Sequence, residues 1–300
     1  MKTLVSSTSF HQCLKVIRNK PNKMLKFVAM ALYISSLNTG SNGNCFYIGN
    51  QTDAILIDAG LSCKETEARL VRLGLDIKNV RAIFISHEHS DHIKGLPVLA
   101  KKHQLPIYIT AKTHNSGRQL LPEHLVRPFC STLPIQINGI EVTAFPKLHD
   151  AAEPHSFTIS YNQVKVGVFT DIGDHCENLI YHFKQCHAAF LEANYDDEML
   201  AKGNYPYFLK RRISSGNGHL SNQKALDLFL NHRSPLMSHL FLSHLSRENN
   251  CPNLVHNLFS EVADGVEIVV ASRLQETPVY YIQEKVAKPA LSAECQLMQR

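Results

Sequence analysis

The sequence lacks any pair of cysteines spaced C-x-x-C, although it contains eight cysteines in 300 residues. They are scattered at positions 13, 45, 63, 130, 176, 186, 251 and 295. This spacing is not that of a zinc ribbon, and a chain of this length does not need disulfides to hold its core together. We therefore expect free thiols in a protein of the reducing cytoplasm.

Long apolar runs are also lacking. The run near the start, residues 27–34, is far shorter than the roughly 20 residues that a membrane-spanning helix needs. It follows basic residues, as in a secretory signal, but no convincing small-residue cleavage site follows it. We therefore expect no membrane partner, and we interpret this run as part of the first β-strand.

The excess of positive charge is confined to one end of the chain. Residues 1–24 contain five basic residues and no acidic one, and the remaining 26 basic residues equal the 26 acidic residues in number. The net charge of +5 therefore says nothing about the partners of the body. We expect a basic extension over residues 1–24, disordered or upstream of a true start at Met24, a domain over 25–283 and a tail over 284–300.

The body shows the composition of a folded α/β protein. Short runs rich in β-branched and aromatic residues predict strands at 31–35, 45–48, 54–57, 82–86, 107–110, 135–145, 156–170, 188–192, 239–243, 266–271 and 279–282. Stretches of helical period predict helices at 65–73, 92–103, 176–184, 222–232 and 252–263. Strict βαβ alternation is absent, which disfavours a fully parallel sheet and favours two sheets with helices outside. No linker or repeat divides the body, so we predict a single domain.

Histidine is abundant, with 17 residues in the chain. His87, His89 and His92 occur with Asp91 directly after the buried-strand pattern of residues 82–86. At a strand–loop–helix corner, the first two histidines can face one ion, and Asp91 and His92 can face a second ion nearby. Two ions about 3.5–4 Å apart form a clamp for displacement at phosphorus or at a carbonyl. Nitrogen and oxygen ligands suit Zn, Mn or Fe. A polar loop that is rich in histidine by chance is the competing interpretation.

The order H-x-H-x-D-H resembles the signature of the metallo-β-lactamase superfamily. That resemblance implies an αββα sandwich with a two-metal site at one edge. The other motifs of the superfamily are matched in order by Asp58, His149, Asp171 and His244. The implied ligands are His87, His89 and His149 for one ion, Asp91, His92 and His244 for the other, and Asp171 as the bridge. Asp58 is expected to support the site without binding an ion, although a simple D-x-G turn would also explain it.

A closer resemblance, to the YycJ/WalJ (VicX) family of exonuclease-like proteins, covers most of the body. It is carried by the segments 41–44, 86–95, 149–154, 191–194, 218–222 and 244–250. The resemblance implies a cytoplasmic 5′→3′ DNA exonuclease that uses two divalent ions, Zn or Mn with Fe also suitable, and a hydroxide held between them. DNA is then the substrate. Tyr195 departs from the pattern, since many relatives have histidine there, which puts in doubt only a ligand role at that position.

His219 is the candidate proton donor to the leaving oxygen. Related branches of the superfamily place a histidine between the bridging aspartate and the last ligand histidine, and His219 matches that position. A polar residue leading into a helix that Ser221 caps is the alternative interpretation. With His219, Asp91 and Asp58 complete the set of candidate catalytic residues.

Further candidate residues carry weaker signals. The tight loop with Ser41, Asn42 and Asn44 has amides that could face a phosphate, but an ordinary turn explains it equally well. Lys210 and Arg211 belong to a basic triplet that could neutralise a nucleic-acid backbone, and a solvated helix face is the alternative. No ladder of aromatic residues for base stacking is evident.

Asn249 and Asn250 are candidates for orienting the metal ligands through hydrogen bonds without binding an ion themselves.

Two other functions stay open at this point. A hydrolase of a small substrate, such as a cyclic phosphodiester, a thioester or a lactone, would use the same site, and the neutral body favours it slightly. A catalytically silent metal-binding protein is disfavoured by the complete ligand set and the candidate acid. The sequence does not predict an oligomeric state.

Overall fold

The computed structural model describes residues 31–131 and 133–284. The predicted extension over residues 1–24, the part of the first strand expected at 27–30 and the tail beyond residue 284 lie outside the described residues.

Two seven-stranded mixed sheets form the centre of the molecule. The first sheet has the order β14-β1-β2-β3-β4-β5-β6. Its strands are β1 Leu32–Asn38, β2 Cys45–Gly49, β3 Ala54–Ile57, β4 Val80–Phe84, β5 Ile107–Ile109, β6 Val126–Pro128 and β14 Tyr280–Ile282. The pairs from β14 to β3 are antiparallel, and those from β3 to β6 are parallel.

The second sheet repeats this arrangement with the order β13-β12-β11-β10-β9-β8-β7. Its strands are β7 Ile135–Ile137, β8 Ile140–Pro146, β9 His155–Tyr161, β10 Val164–Phe169, β11 Ala188–Glu192, β12 His239–Ser243 and β13 Glu267–Val270. The pairs from β7 to β10 are antiparallel, and those from β10 to β13 are parallel. Asn138 and Gly139 form the hairpin turn between β7 and β8 and have φ of 48° and 86°, as a type I′ turn requires.

Nine α-helices connect the strands of the described residues. They are α1 Cys63–Arg72, α2 Ser90–Ile93, α3 Leu96–His103, α4 Ala111–Gly117, α5 Glu177–Phe183, α6 Asp197–Lys202, α7 Tyr207–Ile213, α8 Asn222–His232 and α9 Pro252–Ser260. Helices α1 and α3 pack on the outer face of the first sheet. Helices α5, α8 and α9 pack on the outer face of the second sheet. In this part of the chain, no helix is long and apolar enough to span a bilayer.

One continuous apolar core lies between the two sheets. Aromatic side chains of both sheets interdigitate there, with ring centroids 4.9 Å apart for Phe46 and Phe190 and 5.9 Å apart for Phe84 and Phe157. All four are fully buried, and each contributes a large apolar area to the core. The layers are therefore helix, sheet, sheet and helix in a single domain, which confirms the predicted αββα sandwich.

The elements that the sequence did not predict are short. Strand β6 has three residues, including an arginine and a proline, so it carries no hydrophobic period. Helix α7 has no buried residue, so no apolar stripe marks it. The helix predicted over 92–103 is two helices, because Gly95 lies between α2 and α3 at backbone contact distance from Leu61; a Cβ at Gly95 would lie 1.7 Å from the Leu61 carbonyl oxygen.

The candidate site residues lie at one edge of the sandwich. Strands β3 and β4 run parallel in one sheet, and β10, β11 and β12 run parallel in the other. Polar side chains follow the carboxyl ends of these strands and of β8 directly, so that loops from both sheets meet at the same edge.

Candidate metal centre and active site

Three histidines from two loops form the first group of candidate ligands. His87 and His89 follow β4, and His149 follows β8. The Nδ1 atom of His89 lies 3.1 Å from Nε2 of His87 and 3.3 Å from Nε2 of His149. All three offer a nitrogen to one point in space, with the nitrogens within 4.8 Å of one another. This is the set of ligands expected for one ion.

A second group contains Asp91, His92 and His244. The Oδ2 atom of Asp91 lies 3.6 Å from Nε2 of His92 and 3.6 Å from Nε2 of His244. His92 and Asp91 come from the short helix α2, and His244 follows β12 directly. Although His92 and His244 are 152 positions apart in the sequence, the fold brings them to the same carboxylate.

Asp171, which follows β10, lies between the two groups. Its Oδ1 atom is 3.8 Å from Nε2 of His149 and 3.5 Å from Nε2 of His244, and its Oδ2 atom is 3.2 Å from Nε2 of His92. A single carboxylate therefore reaches candidate ligands of both ions. All seven side chains predicted as ligands lie in one cluster.

The cluster has the properties that bound cations require. Oδ2 of Asp171 and Nε2 of His244 are buried and have no well-formed hydrogen bond among the described residues. Such atoms are costly to bury unless a ligand satisfies them. Imidazole and carboxylate donors in this number suit divalent ions such as Zn or Mn. The residues present therefore fit divalent metal ions.

The charges of the carboxylates support the same conclusion. Burial alone would raise the pKa of Asp91, but His92 and His244 outweigh burial and hold the pKa at about 2. Burial acts on Asp171 in the same direction, and the same two histidines keep its pKa well below the usual value. Both carboxylates are therefore ionised at neutral pH. Burial would lower the pKa of His92, yet Asp171, Asp58 and Asp91 raise it to about 10, so a cation that binds there displaces a proton.

Asp58 fixes the ligand histidines of the first sheet. Its Oδ2 atom lies 2.7 Å from Nδ1 of His92, and its Oδ1 atom accepts a hydrogen bond of 2.8 Å from the amide of Ser86. The hydroxyl of Ser86 donates to Oδ2 of Asp58 and lies 2.9 Å from Nδ1 of His87. With Nδ1 of both histidines occupied, Nε2 is left for the cluster. This placement matches the supporting role that we expected for Asp58.

Three residues of the site have left-handed backbones. Asp58, Asp171 and His244 have φ of 62°, 55° and 57°, and each is the first or second residue after its strand. Non-glycine residues adopt this conformation at a cost, and it is concentrated at functional sites. For His244 the amide donates a hydrogen bond of 3.0 Å to the hydroxyl of Thr39, which holds the strained turn.

Glu192, at the end of β11, was not among the predicted site residues. It is fully buried, and its Oε1 atom lies 2.8 Å from Nδ1 of His219 and 3.0 Å from Nδ1 of His244. Its Oε2 atom accepts hydrogen bonds from the amides of Ile172 and Leu220 at 2.6 and 3.2 Å. Burial raises its pKa, but the two histidines lower the pKa to about 2. One carboxylate therefore orients a candidate ligand and the candidate proton donor together. An acid at the end of an otherwise apolar strand is the signal that could have revealed it.

Replacing Glu192 with glutamine is expected to lower metal affinity or turnover by about 10–100-fold. Glutamine keeps one acceptor oxygen and replaces the other with an NH2 donor, so it can accept from the two backbone amides or from the two histidines but not from both pairs. With the oxygen on the backbone amides, the NH2 faces both Nδ1–H groups and the two imidazoles lose the acceptor that orients them. Metal content after dialysis and turnover number would be measured beside Glu198→Gln, an exposed control. Wild-type values for both quantities in Glu192→Gln would contradict the orienting role.

Lys147, two residues before His149, is a second buried charge that the sequence did not single out. Its Nζ donates a hydrogen bond of 2.7 Å to the carbonyl of Thr170, the residue before Asp171. Burial lowers its pKa, and Asp171, Asp58 and Glu192 oppose that effect. Lys147 thus ties the His149 loop to the Asp171 loop and balances part of the negative charge beneath the cluster.

The loop over residues 41–44 contacts the candidate site through a side chain and not through its backbone amides. Asn44 is buried, and its Nδ2 atom lies 3.2 Å from Oδ2 of Asp91 and 3.0 Å from Nε2 of His92. Asn42 donates to the carbonyl of Arg273 at 2.6 Å. The amides of residues 43 and 44 already donate to protein carbonyls, so they do not face outward for a phosphate. Ser41 lines the cleft described below.

Close backbone packing holds the D-x-G segment, residues 58–60, against helix α2. A Cβ built at Gly60 would lie 1.7 Å from the carbonyl oxygen of Asp91, so that only glycine fits there. The D-x-G segment that contains Asp58 is thus both a carboxylate support and a point of backbone contact with α2.

The two asparagines proposed to orient ligands differ in their contacts. Nδ2 of Asn250 donates to the carbonyls of Ala193 and Asn194 at 2.8 and 3.0 Å. Asn194 in turn donates to the carbonyl of His244 at 2.7 Å, so Asn250 supports His244 through one intermediate residue. The side chain of Asn249 contacts only the Ser246 hydroxyl among the hydrogen bonds of the described residues, at 3.4 Å.

The three residues of the basic triplet on α7 make different contacts in the structure. Nζ of Lys210 donates to the carbonyl of Ala201, and the guanidinium of Arg211 lies over the ring of Tyr207 at 5.9 Å from its centroid. Of the three, only Arg212 reaches the candidate site, where its Nε donates to Oδ2 of Asp150 at 2.6 Å.

A cleft of about 310 Å³ opens beside the cluster. His219 and His244 form part of its wall. Both histidines contact the buried Glu192, but His219 is one-fifth exposed whereas His244 is almost fully buried, so His219 is the one that solvent in the cleft reaches.

The fold and the histidine–aspartate cluster define a member of the β-lactamase superfamily. The family described as "Beta-lactamase superfamily domain" matches residues 53–244, and the chain belongs to that family. The metallo-β-lactamase fold protein YhfI from Bacillus subtilis superimposes with a TM-score of 0.66 at 15% identity, over 84% of this chain and 99% of that one. This likeness shows the fold alone.

Within the superfamily, the chain belongs to the YycJ/WalJ family. It is 39% identical to exodeoxyribonuclease YycJ from Bacillus anthracis, over 78% of this chain and 90% of that protein. It is 32% identical to exodeoxyribonuclease WalJ from Streptococcus pneumoniae, over 74% of this chain and 84% of that protein. The predicted fold and family are confirmed.

Proposed function

We propose that this protein is a cytoplasmic, metal-dependent exonuclease that degrades DNA from the 5′ end. The observation that carries the proposal is the complete cluster of seven candidate ligands beside an open cleft, with His219 held at the cleft wall by Glu192. The similarity to two proteins named exodeoxyribonucleases supports DNA as the substrate.

The side chains divide the work of phosphodiester hydrolysis. Two divalent ions, Zn or Mn, would polarise a phosphoryl oxygen and lower the pKa of a water molecule to about 7. Asp171 contributes negative charge between the two groups of histidines. Glu192 holds Nδ1 of His219, which leaves Nε2 to give a proton to the leaving 3′ oxygen. Asp58 and Glu192 keep the ligand imidazoles in fixed orientations from the two sheets.

An exposed surface on α7 supports a nucleic acid over a small substrate. It consists of Tyr207, Phe208, Lys210 and Arg211, and we call it the α7 surface. The two aromatic side chains are 75% and 73% exposed, which is unusual for adjacent large apolar residues. No acidic residue occurs between positions 199 and 226. Aromatic rings beside cations are the combination on which the bases and backbone of nucleic acids bind.

Replacing Tyr207 and Phe208 together with alanine is expected to raise the KM for DNA by about tenfold or more, because stacking on one base contributes about 1–3 kcal/mol. Initial rates over a range of DNA concentrations give the KM. Tyr181→Ala, which removes a 65% exposed aromatic residue from α5, is the matched control. An unchanged KM in the double variant would exclude the α7 surface from DNA binding.

A hydrolase of a small substrate is the second candidate function. The cleft of about 310 Å³ and the equal numbers of acidic and basic residues after position 24 favour it. Rates on bis-p-nitrophenyl phosphate, a thioester, a lactone and 5′-labelled DNA separate the two functions. We expect turnover of DNA and of the nitrophenyl diester. Turnover of the thioester or the lactone without cleavage of DNA would overturn the proposed exonuclease.

A further inference from the structure

Three arginines line the cleft beside the metal cluster. They are Arg212 from α7, Arg247 from the loop after β12, and Arg273 from the loop after β13. A guanidinium is always positively charged and presents five N–H donors in a fork that matches phosphate oxygens. Glu248 is the acidic residue of the same lining, so that positive charge exceeds negative charge there.

Arg273 has an unused donor that is already removed from solvent. Its Nη1 atom is buried and has no hydrogen-bond partner among the described residues. A buried donor without a partner is destabilising, and more so when the group is charged, because it loses its hydration without gaining a hydrogen bond. The backbone of Arg273 is held in place, since its carbonyl accepts the 2.6 Å hydrogen bond from Asn42. Arg273 therefore keeps a hydrogen-bond donor that no acceptor among the described residues uses.

The other two arginines extend the charge from the cluster to the mouth of the cleft. Nε of Arg212 is bound to Asp150, whose Oδ1 atom lies 3.5 Å from Nε2 of the candidate ligand His149. Arg212 is therefore fixed next to the cluster. Arg247 is 77% exposed and has only a loose contact of 3.4 Å with Glu248, so it lies at the solvent side.

We propose that this arginine cleft binds a phosphate of the substrate strand other than the one that is cleaved, with Arg273 as its principal contact. This inference rests on the proposed exonuclease function. The volume of about 310 Å³ is at the lower end of the range for small-ligand pockets, which suits one nucleotide and not a length of duplex. The bound group is either the 5′-terminal phosphomonoester or an internal phosphodiester of the strand.

The test compares Arg273→Gln and Arg273→Lys with wild type on two DNA duplexes, one with a 5′ phosphate and one with a 5′ hydroxyl. Arg127→Ala is the charge-matched control, because Arg127 is an exposed residue on β6 in the other sheet. Thermal denaturation confirms that each variant is folded. Affinity for both duplexes is also measured by fluorescence anisotropy without added metal.

Arg273→Gln is expected to raise both the KM and the dissociation constant by about 10–100-fold, as for loss of a charge-assisted hydrogen bond. The lysine variant should recover part of the loss. A loss confined to the 5′-phosphorylated duplex identifies the terminal phosphomonoester, and an equal loss on both duplexes identifies an internal phosphodiester. Wild-type KM and affinity in Arg273→Gln would overturn the arginine cleft, even with DNA cleavage intact. A wild-type protein that binds DNA through Arg273 but cleaves neither duplex would instead overturn the proposed function alone.

Discussion

Replacing Asp91 with alanine is expected to lower the rate of DNA cleavage by at least about a thousandfold, equivalent to about 4 kcal/mol of transition-state stabilisation. Asp91 contributes the carboxylate that lies 3.6 Å from both His92 and His244. Without it, those two imidazoles face each other with a neutral side chain between them, and the second cation loses its charged ligand. Cleavage rates and metal content by elemental analysis would be measured on the same preparations.

The control for this variant is Asp76→Ala, which removes an exposed carboxylate from a 3₁₀ turn away from the cluster. It should retain wild-type cleavage and metal content. Asp91→Asn keeps the volume of the side chain, so its thermal stability shows whether the loss is chemical or structural. If Asp91→Ala held its full metal content and cleaved DNA within tenfold of wild type, the assignment of Asp91 as a ligand would be wrong.

Replacing His219 with alanine is expected to slow DNA cleavage by about 10²–10⁴-fold while metal content stays at the wild-type level, the range typical of general acid catalysis. His219 lies outside the two groups that contain His87 and Asp91, and although it lies near Asp171 and His244, its Nδ1 is bound to Glu192. Its loss should therefore remove the proton for the leaving oxygen and leave the ions in place.

The choice of leaving group separates proton donation from a structural role. A nitrophenolate leaves without a proton, so His219→Ala should lose far less activity on bis-p-nitrophenyl phosphate than on DNA. His256→Ala, which changes an exposed histidine on α9, serves as the control for the substitution itself. An equal loss on both substrates would assign His219 to binding or folding, and a fall in metal content would make it a ligand.

The fold and the cluster could be predicted because the residues that indicate them form short patterns along the sequence. His87 to His92 lie within six positions after a strongly apolar strand, and a strand end followed by a single His or Asp occurs three more times in the same order. Such a pattern, together with the resemblance to a known superfamily, marks the candidate ligands without any knowledge of tertiary contacts. The inter-sheet core is likewise encoded in short β-branched runs, which is why most of the strands were predicted within a few residues.

The contacts that could not be predicted join segments distant in sequence. Glu192 lies 27 positions from His219 and 52 from His244. The pairing of β11 with β12 places it beside His244, and the hydrogen bond from the amide of Leu220 places His219 beside it. Arg273 faces the cleft because Asn42, more than 200 positions earlier, holds its backbone. Helix α7 has no buried residue, so no hydrophobic period announces it. In each case the position is set by tertiary packing, which no local pattern records.

The most direct test of the proposed 5′→3′ exonuclease is digestion of double-stranded DNA that carries a label at its 5′ end. Mn²⁺ or Zn²⁺ is added to the reaction. Wild type and Asp91→Ala are compared after both have been shown to be folded. We expect stepwise release of labelled nucleotides from the 5′ end by the wild type and none by the variant. Absence of release with either metal, from wild-type protein shown to hold two ions, would contradict the exonuclease and favour a small-substrate hydrolase on the same site.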